Sequence, residues 1–403
     1  MSFQSHIDKC SLQEEQLAKF RLPSEKRVFP TFEKYLALSR DWFAYSLSYY
    51  KKTCTDYMTH PFVAYLDQDP NLSKTLNQVI EIVYSSQNTI LRSMAPIELY
   101  ILVDLVLREA AGIKDVPFVL QDDQVLETAT LEKSLISHIS KDVSISPPTA
   151  PPPKACYAIK YTASEVTNPY SWPLLVHETL HIIEELESIY AQLPILSKVD
   201  LPVENAEDWK RELFIDLYCV LFFGPIFAFS LVGKFRLTPY VSTKTHPPME
   251  VRIQAIKKYL DKVTPPKPIG IAEETLVKIV SETRPYLVPA TIKDPKLDKA
   301  VEDFVNSFCT FTSKKSFQQL LVNWFPSTST SLGIPKVSFD NIRAWTKEGI
   351  ELAIDPRILL NFVLTDPEIV KRAPGRVPED LTGALLSSMK KWRVFQAYRG
   401  ESA

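Results

Sequence analysis

The sequence predicts an α+β fold that is mainly α. Three observations carry that expectation. Glycine is scarce, at 9 residues in 403, while proline reaches 31, as in a chain of helices punctuated by proline turns. Several long stretches place apolar residues at three- and four-residue spacing, the period of a helix with one buried face. Only two short runs, 116–120 and 155–162, read as strands.

In order along the chain, residues 1–112 form an N-terminal helical region. Tyr35, Leu36, Leu38, Trp42, Phe43, Tyr45, Leu47 and Tyr49 mark a helix over 33–52, and their aromatic stripe reads as core. Residues 71–94 are amphipathic. Pro96 suits the first turn of a further helix over 97–111, which Gly112 ends. A second region, 113–264, opens with the strand 116–120 and a helical patch near 131–139. The run 144–154, SISPPTAPPPK, then reads as an exposed extended loop that offers a possible site to a protein partner. The strand 155–162 follows and leads into the helix 171–187. The apolar run 213–232 has the length of a membrane span. Glu212 and Asp216 at its start and Gly224-Pro225 in its middle make it a buried helix, bent or restarted at Pro225. A helix over 250–262 precedes a proline boundary at 265–268. The third region, 265–403, alternates helical patches with proline turns and closes on a helix over 381–398.

The totals exclude several function classes. The formal net charge of −2 gives no pull towards nucleic acid. No glycine-rich phosphate loop is present. The five cysteines are odd in number and far apart, neither a disulfide framework nor a thiolate metal site. They suit a reducing, cytoplasmic location. The opening residues show no signal-peptide pattern, and no stable membrane insertion is expected.

The chemistry concentrates in Ser171 to Glu187, SWPLLVHETLHIIEELE. His177 and His181 are four apart, so a helix presents both on one face and both can reach one metal ion. Glu178 lies on the adjoining strip, where a carboxylate can take a proton from a water that the metal activates. A catalytic zinc site needs a third protein ligand. Glu212 and Asp216 are also four apart, on a separate predicted helix. One can bind the metal while the other holds a ligand histidine through its second ring nitrogen. Only one Glu-x-x-His pair is present, which sets aside a di-iron carboxylate centre.

H-E-x-x-H followed by E-x-x-x-D resembles the gluzincin metallopeptidases. The run Thr245-His246-Pro247-Pro248-Met249-Glu250-Val251-Arg252-Ile253 resembles a segment of the HtpX-like and CAAX-prenyl-processing peptidases. These blocks cover roughly residues 155–260, in that family's order. The resemblance implies Zn2+ on His177, His181 and Glu212, Glu178 as general base, and Asp216 supporting a ligand. It also implies that His246 and Arg252 lie near the catalytic cleft. It implies a zincin-like catalytic unit with a small sheet, flanked by helical regions, in which the strand 155–162 is an edge strand that pairs with an extended peptide. The family's several membrane spans have no counterpart here, so the expected substrate is a peptide or protein of unspecified sequence. A different expectation is a non-catalytic interaction or scaffold protein on a similar fold.

Overall fold

The computed structural model describes residues 2–19, 30–59, 98–122, 127–130, 156–162, 167–237, 245–263, 292–311, 315–324, 354–364 and 379–398, with isolated positions between them. The patch 131–139, the proline-rich loop 144–154, the boundary 265–268 and nearly all of the run 71–94 lie outside the described residues. Contacts divide the chain into two units. One comprises Met1–Tyr100 with Ile113–Ala163, the other Ile101–Gly112 with Ser164–Ala403.

In the first unit, α1 (Phe3–Lys19) buries Phe3, His6, Cys10, Gln13 and Leu17, a stripe of helical period. It packs on α2 (Pro30–Met58). Phe3 stacks on Tyr57 with ring centroids 5.2 Å apart, and the Tyr50 hydroxyl lies 2.9 Å from His6 Nδ1. Three strands follow: β1 (Phe118–Asp122), β2 (Glu127–Thr130) and β3 (Tyr157–Tyr161). Their order is β1-β3-β2, with β1 parallel and β2 antiparallel to β3. Phe118 aligns with Tyr157 and Glu127 with Lys160. The sheet is tied to α2 through the Tyr35–Phe118 ring contact at 4.3 Å and a hydrogen bond from Ser39 Oγ to the Phe118 carbonyl.

This corrects the expectation of an edge strand. β3 is central, and its backbone is paired on both sides, so β3 itself offers no free edge to an extended peptide; β1 and β2 are the edges of the described sheet. Its near-continuous burial fits a strand with two neighbours. The unforeseen neighbour is β2, whose sequence ETAT has neither the length nor the apolar alternation that announces a strand.

The second unit holds most of α3 (Leu99–Ala111), then α4 (Trp172–Glu187), α5 (Ala206–Phe223), α6 (Ile226–Leu237), α7 (Met249–Lys262), α8 (Pro295–Phe308), α9 (Phe317–Trp324), α10 (Pro356–Leu364) and α11 (Glu379–Tyr398). The chain is therefore mainly α, as expected. α3 stops at Gly112, whose φ of 73° is the left-handed conformation that glycine adopts without a Cβ clash. The Tyr218 hydroxyl donates to the Ala110 carbonyl at 3.3 Å, which ties α3 to α5.

The unit boundaries do not follow a division at 112/113 and 264/265. Strand pairing joins 118–122 to 157–161 within the first unit, apart from the motif helix. In the other direction, α8 packs on α7 and α5. Phe308 meets the rings of Tyr259 and Phe214, with centroids 5.4 and 6.0 Å away. Residues beyond 265 are thus part of the body that carries the motif helix.

The apolar run 213–232 is two buried helices meeting at Gly224-Pro225, as its sequence predicts. Gly224 has φ 104°, and a Cβ there would lie 2.7 Å from the side chain of Asn361 on α10. Asn361 fills the break. Its Nδ2 donates to the Phe223 carbonyl at 2.7 Å, and its Oδ1 accepts from Ile226 N at 3.0 Å. Both backbone groups would otherwise be buried and unpaired. One turn earlier on α10, Arg357 lies over the Phe222 ring, held there by Asp355. Among the described residues, no helix is long and apolar enough to cross a membrane.

Candidate metal centre

α4 begins after a short 3-10 turn capped by Asn168 and has Pro173 in its first turn, where the missing N–H costs no hydrogen bond. Its apolar residues are buried almost all round, so the helix lies inside the unit and carries its polar side chains with it. The Thr179 hydroxyl is satisfied by the Leu175 carbonyl at 2.6 Å. His177 and His181 need partners from elsewhere, and α5 supplies them. Glu212 and Asp216 lie one turn apart, 4% and 0% exposed.

The four side chains converge. His177 Nε2 lies 3.1 Å from His181 Nε2 and 3.3 Å from Glu212 Oε1, while His181 Nε2 lies 3.4 Å from Glu212 Oε2. A tetrahedral zinc ion with bonds of about 2.0–2.1 Å separates its ligand atoms by about 3.3–3.4 Å. The two histidine nitrogens are near that spacing from each other, each approaches a different oxygen of the Glu212 carboxylate, and one ligand atom from each of the three residues lies within 4.8 Å of the others. His177, His181 and Glu212 thus form a largely buried group able to hold a metal ion. Glu212 Oε1 is buried, and the cation already beside it is the Arg252 guanidinium, whose Nη2 lies 2.9 Å away. On the far side of the His177 ring, Nδ1 lies 3.2 Å from Asp216 Oδ1. A proton on Nδ1 leaves Nε2 with its lone pair towards His181 and Glu212.

The electrostatics of the metal-free site follow from this packing. Burial pulls His177 towards neutrality, but the charges and hydrogen bonds of Glu212 and Asp216 outweigh it and push its pKa up to about 9. His181 is lowered, first by burial and then by the neighbouring His177, although Glu212 opposes the shift. Burial would raise Glu212. Arg252 and His177 overcome it and hold the carboxyl well below the usual carboxylate range. A proton on His177 therefore stands where a metal charge would act.

The Thr245 to Ile253 segment reaches the same place. Arg252, on α7 and 3% exposed, donates from Nε and Nη2 to the two oxygens of Asp216 at 2.7 and 2.6 Å. Its Nη2 also lies 2.9 Å from Glu212 Oε1. The guanidinium is taken up by the two carboxylates. His246 is half-exposed at the rim. Its Nδ1 lies 2.9 Å from Thr245 Oγ1 and its Nε2 3.8 Å from Glu212 Oε1. Glu178 follows His177 on α4 and is 9% exposed. All seven residues singled out in the sequence therefore belong to one unit, and six of them join in a single network of contacts around Glu212. Glu178 is their neighbour on the helix.

No protein-family model matches the chain, and no curated protein or solved structure matches it. The site thus stands on its own geometry. Two further residues near it were not singled out in the sequence. Phe227, at the start of α6, stacks on the His177 ring with centroids 5.6 Å apart and planes 8° from parallel. In the sequence it is one more aromatic in an apolar run. Asn361 sets the turn that precedes it, and here a faint signal exists: a lone amide inside PRILLNFVL, where burial demands hydrogen-bonding partners.

Proposed function

We propose that this chain is a zinc-dependent metallopeptidase. The observation that carries the reading is the convergence of His177, His181 and Glu212, with ligand atoms within 4.8 Å of one another, and Asp216 Oδ1 3.2 Å from the second nitrogen of His177. Two imidazoles and one carboxylate are the protein donor set of a catalytic zinc ion, whereas a structural one takes four protein ligands. A closed structural site has no use for an acidic residue beside a ligand histidine, and Glu178 supplies one. The resemblance of the three sequence blocks to the gluzincin peptidases supports the same reading.

In this mechanism His177, His181 and Glu212 hold the ion. Zinc, when bound, supplies Lewis acidity that polarises a scissile carbonyl and lowers the pKa of water. Glu178 accepts a proton from the attacking water and returns it to the departing amine. Asp216 fixes the ring of His177, and Arg252 balances the charge of both carboxylates. His246, at the rim, is positioned to meet a substrate oxygen. The substrate is a peptide or protein.

Glu178→Gln tests the assignment. The amide keeps the size of the side chain and removes its basicity, so zinc binding is retained. Peptide hydrolysis falls by about 10²–10⁴-fold, the usual contribution of a general base. A variant that binds zinc and cleaves at the wild-type rate refutes the peptidase assignment. A wild-type protein that binds zinc and cleaves no peptide in a proteome-derived library favours the interaction-protein reading.

A further inference from the structure

We propose that Asn361 is a positioning residue for the metal centre, acting through Phe227 on the ring of His177. The inference rests on the metal-site reading above and extends it to α10, a part of the chain that bears no metal-binding motif.

A metal-ligating imidazole works only when its ring plane contains the ion. Two contacts flank His177: Asp216 Oδ1, 3.2 Å from Nδ1, and Phe227 against the face of the ring. Phe227 is fully buried, and its place depends on how the chain leaves the break at Gly224. Asn361 decides that geometry. It ties the last carbonyl of α5 to the first N–H of α6, and the N–H it holds belongs to Ile226, the residue before Phe227. A third bond, from Nδ2 to the Arg357 carbonyl at 2.7 Å, anchors the amide to its own helix. Only glycine at 224 lets the side chain approach so closely. The route from Asn361 to the metal is therefore three steps long: amide to Ile226 N–H, Ile226 to Phe227 along the chain, Phe227 ring to His177 ring.

A double-mutant cycle tests it, with Co2+ as the probe because its visible spectrum reports ligand geometry. Asn361→Asp retains the acceptor for Ile226 N–H and loses both donated bonds. Asn361→Ala loses all three, and Phe227→Leu removes the stack while leaving the elbow intact. The expected result is a loss of Co2+ affinity of about 10-fold in Asn361→Ala and in Phe227→Leu, in the range for groups that orient a metal ligand. An altered band shape at saturating Co2+ is expected in both. In the double variant the two losses do not add. If Asn361→Ala does not fold, Asn361→Asp carries the same test with a smaller effect. Lower thermal stability with unchanged Co2+ affinity and spectrum overturns the proposal, as does full additivity. Failure of the wild-type protein to bind Co2+ overturns the metal-site reading itself, which the cycle distinguishes from an intact site uncoupled from Asn361.

Discussion

Replacing Arg252 by Met should cost more stability in the metal-free protein than in the metal-bound one. The side chain is buried with Asp216 and Glu212, and its charge is the nearest fixed cation to both. Met fills much of the same space and removes the charge. Two carboxylates then remain in the interior, with only the proton on His177 to face them. Removing one partner of a buried ion pair costs about 3–5 kcal/mol. For a unit of this size each kcal/mol lowers Tm by about 2–4 °C, so the metal-free variant should melt on the order of 6–20 °C lower. Zn2+ restores positive charge beside Glu212, so its addition should raise Tm further in Arg252→Met than in the wild type. The pH dependence has a definite sign. A carboxyl held below its ordinary pKa stabilises the fold above that ordinary value and loses the contribution as pH falls through the lowered one. The gap between variant and wild type should therefore narrow when pH drops below the usual carboxylate range. Differential scanning calorimetry with and without Zn2+, at neutral and acid pH, makes the measurement. A metal-free variant melting within about 2 °C of wild type refutes the charge argument, and so does an equal Zn2+ response in both proteins.

Two further outcomes follow from the same contacts. Asp216→Asn keeps the shape beside His177 Nδ1 and removes the charge, so Zn2+ affinity should weaken by about 10–100-fold in competition with a chromophoric chelator; wild-type affinity would sink the role given to Asp216. The raised pKa of His177 means that the metal-free protein carries a proton there at neutral pH. That proton stabilises the fold fully below the ordinary histidine pKa, and its contribution is lost as pH rises through about 9. Metal must displace it, so titration calorimetry at pH 7.5 in buffers of different ionisation enthalpy should show about one proton released per Zn2+. Apparent affinity should climb with pH and level off near 9. Binding without proton release would mean that His177 is neutral before the metal arrives.

What could be read from the sequence divides along physical lines. His177 and His181 were legible because helical spacing alone places them on one face, and Glu212 with Asp216 for the same reason. Local period decides both pairs, and the fold had only to bring two helices together. The α3 end at Gly112 and the break at Gly224-Pro225 were legible because backbone sterics act within a few residues. Long-range pairing was not. β2 is four residues of weak strand character that gains its place only from β3, so nothing in the sequence opposed the edge position that the family resemblance implied for β3. The grouping of residues 265–403 with the motif helix was hidden as well. It depends on Phe308 finding Phe214 and Tyr259, apolar residues that have no preferred partner until the fold is known. The roles of Arg252 and Asn361 fall between these cases. Each is a polar residue on a helix that buries it, a sign that a partner exists without saying which.

The formal charges of the site explain why a dication suits it. Glu178, Glu212 and Asp216 bring three negative charges, and Arg252 with a protonated His177 brings two positive ones. The metal-free group is thus left one charge short of balance in a largely buried setting, where an unpaired charge is costly. That deficit raises the affinity of His177 for its proton. A dication displaces the one proton and adds two charges, which brings the sum to zero. On the proposed peptidase reading, a proton that Glu178 takes from the attacking water leaves a hydroxide behind, so the total stays at zero while the residues and the ion together stand at +1 against the negative charge carried to the substrate oxygen. Arg252 is what sets the count: without it the same three carboxylates and a dication leave the resting site one charge negative.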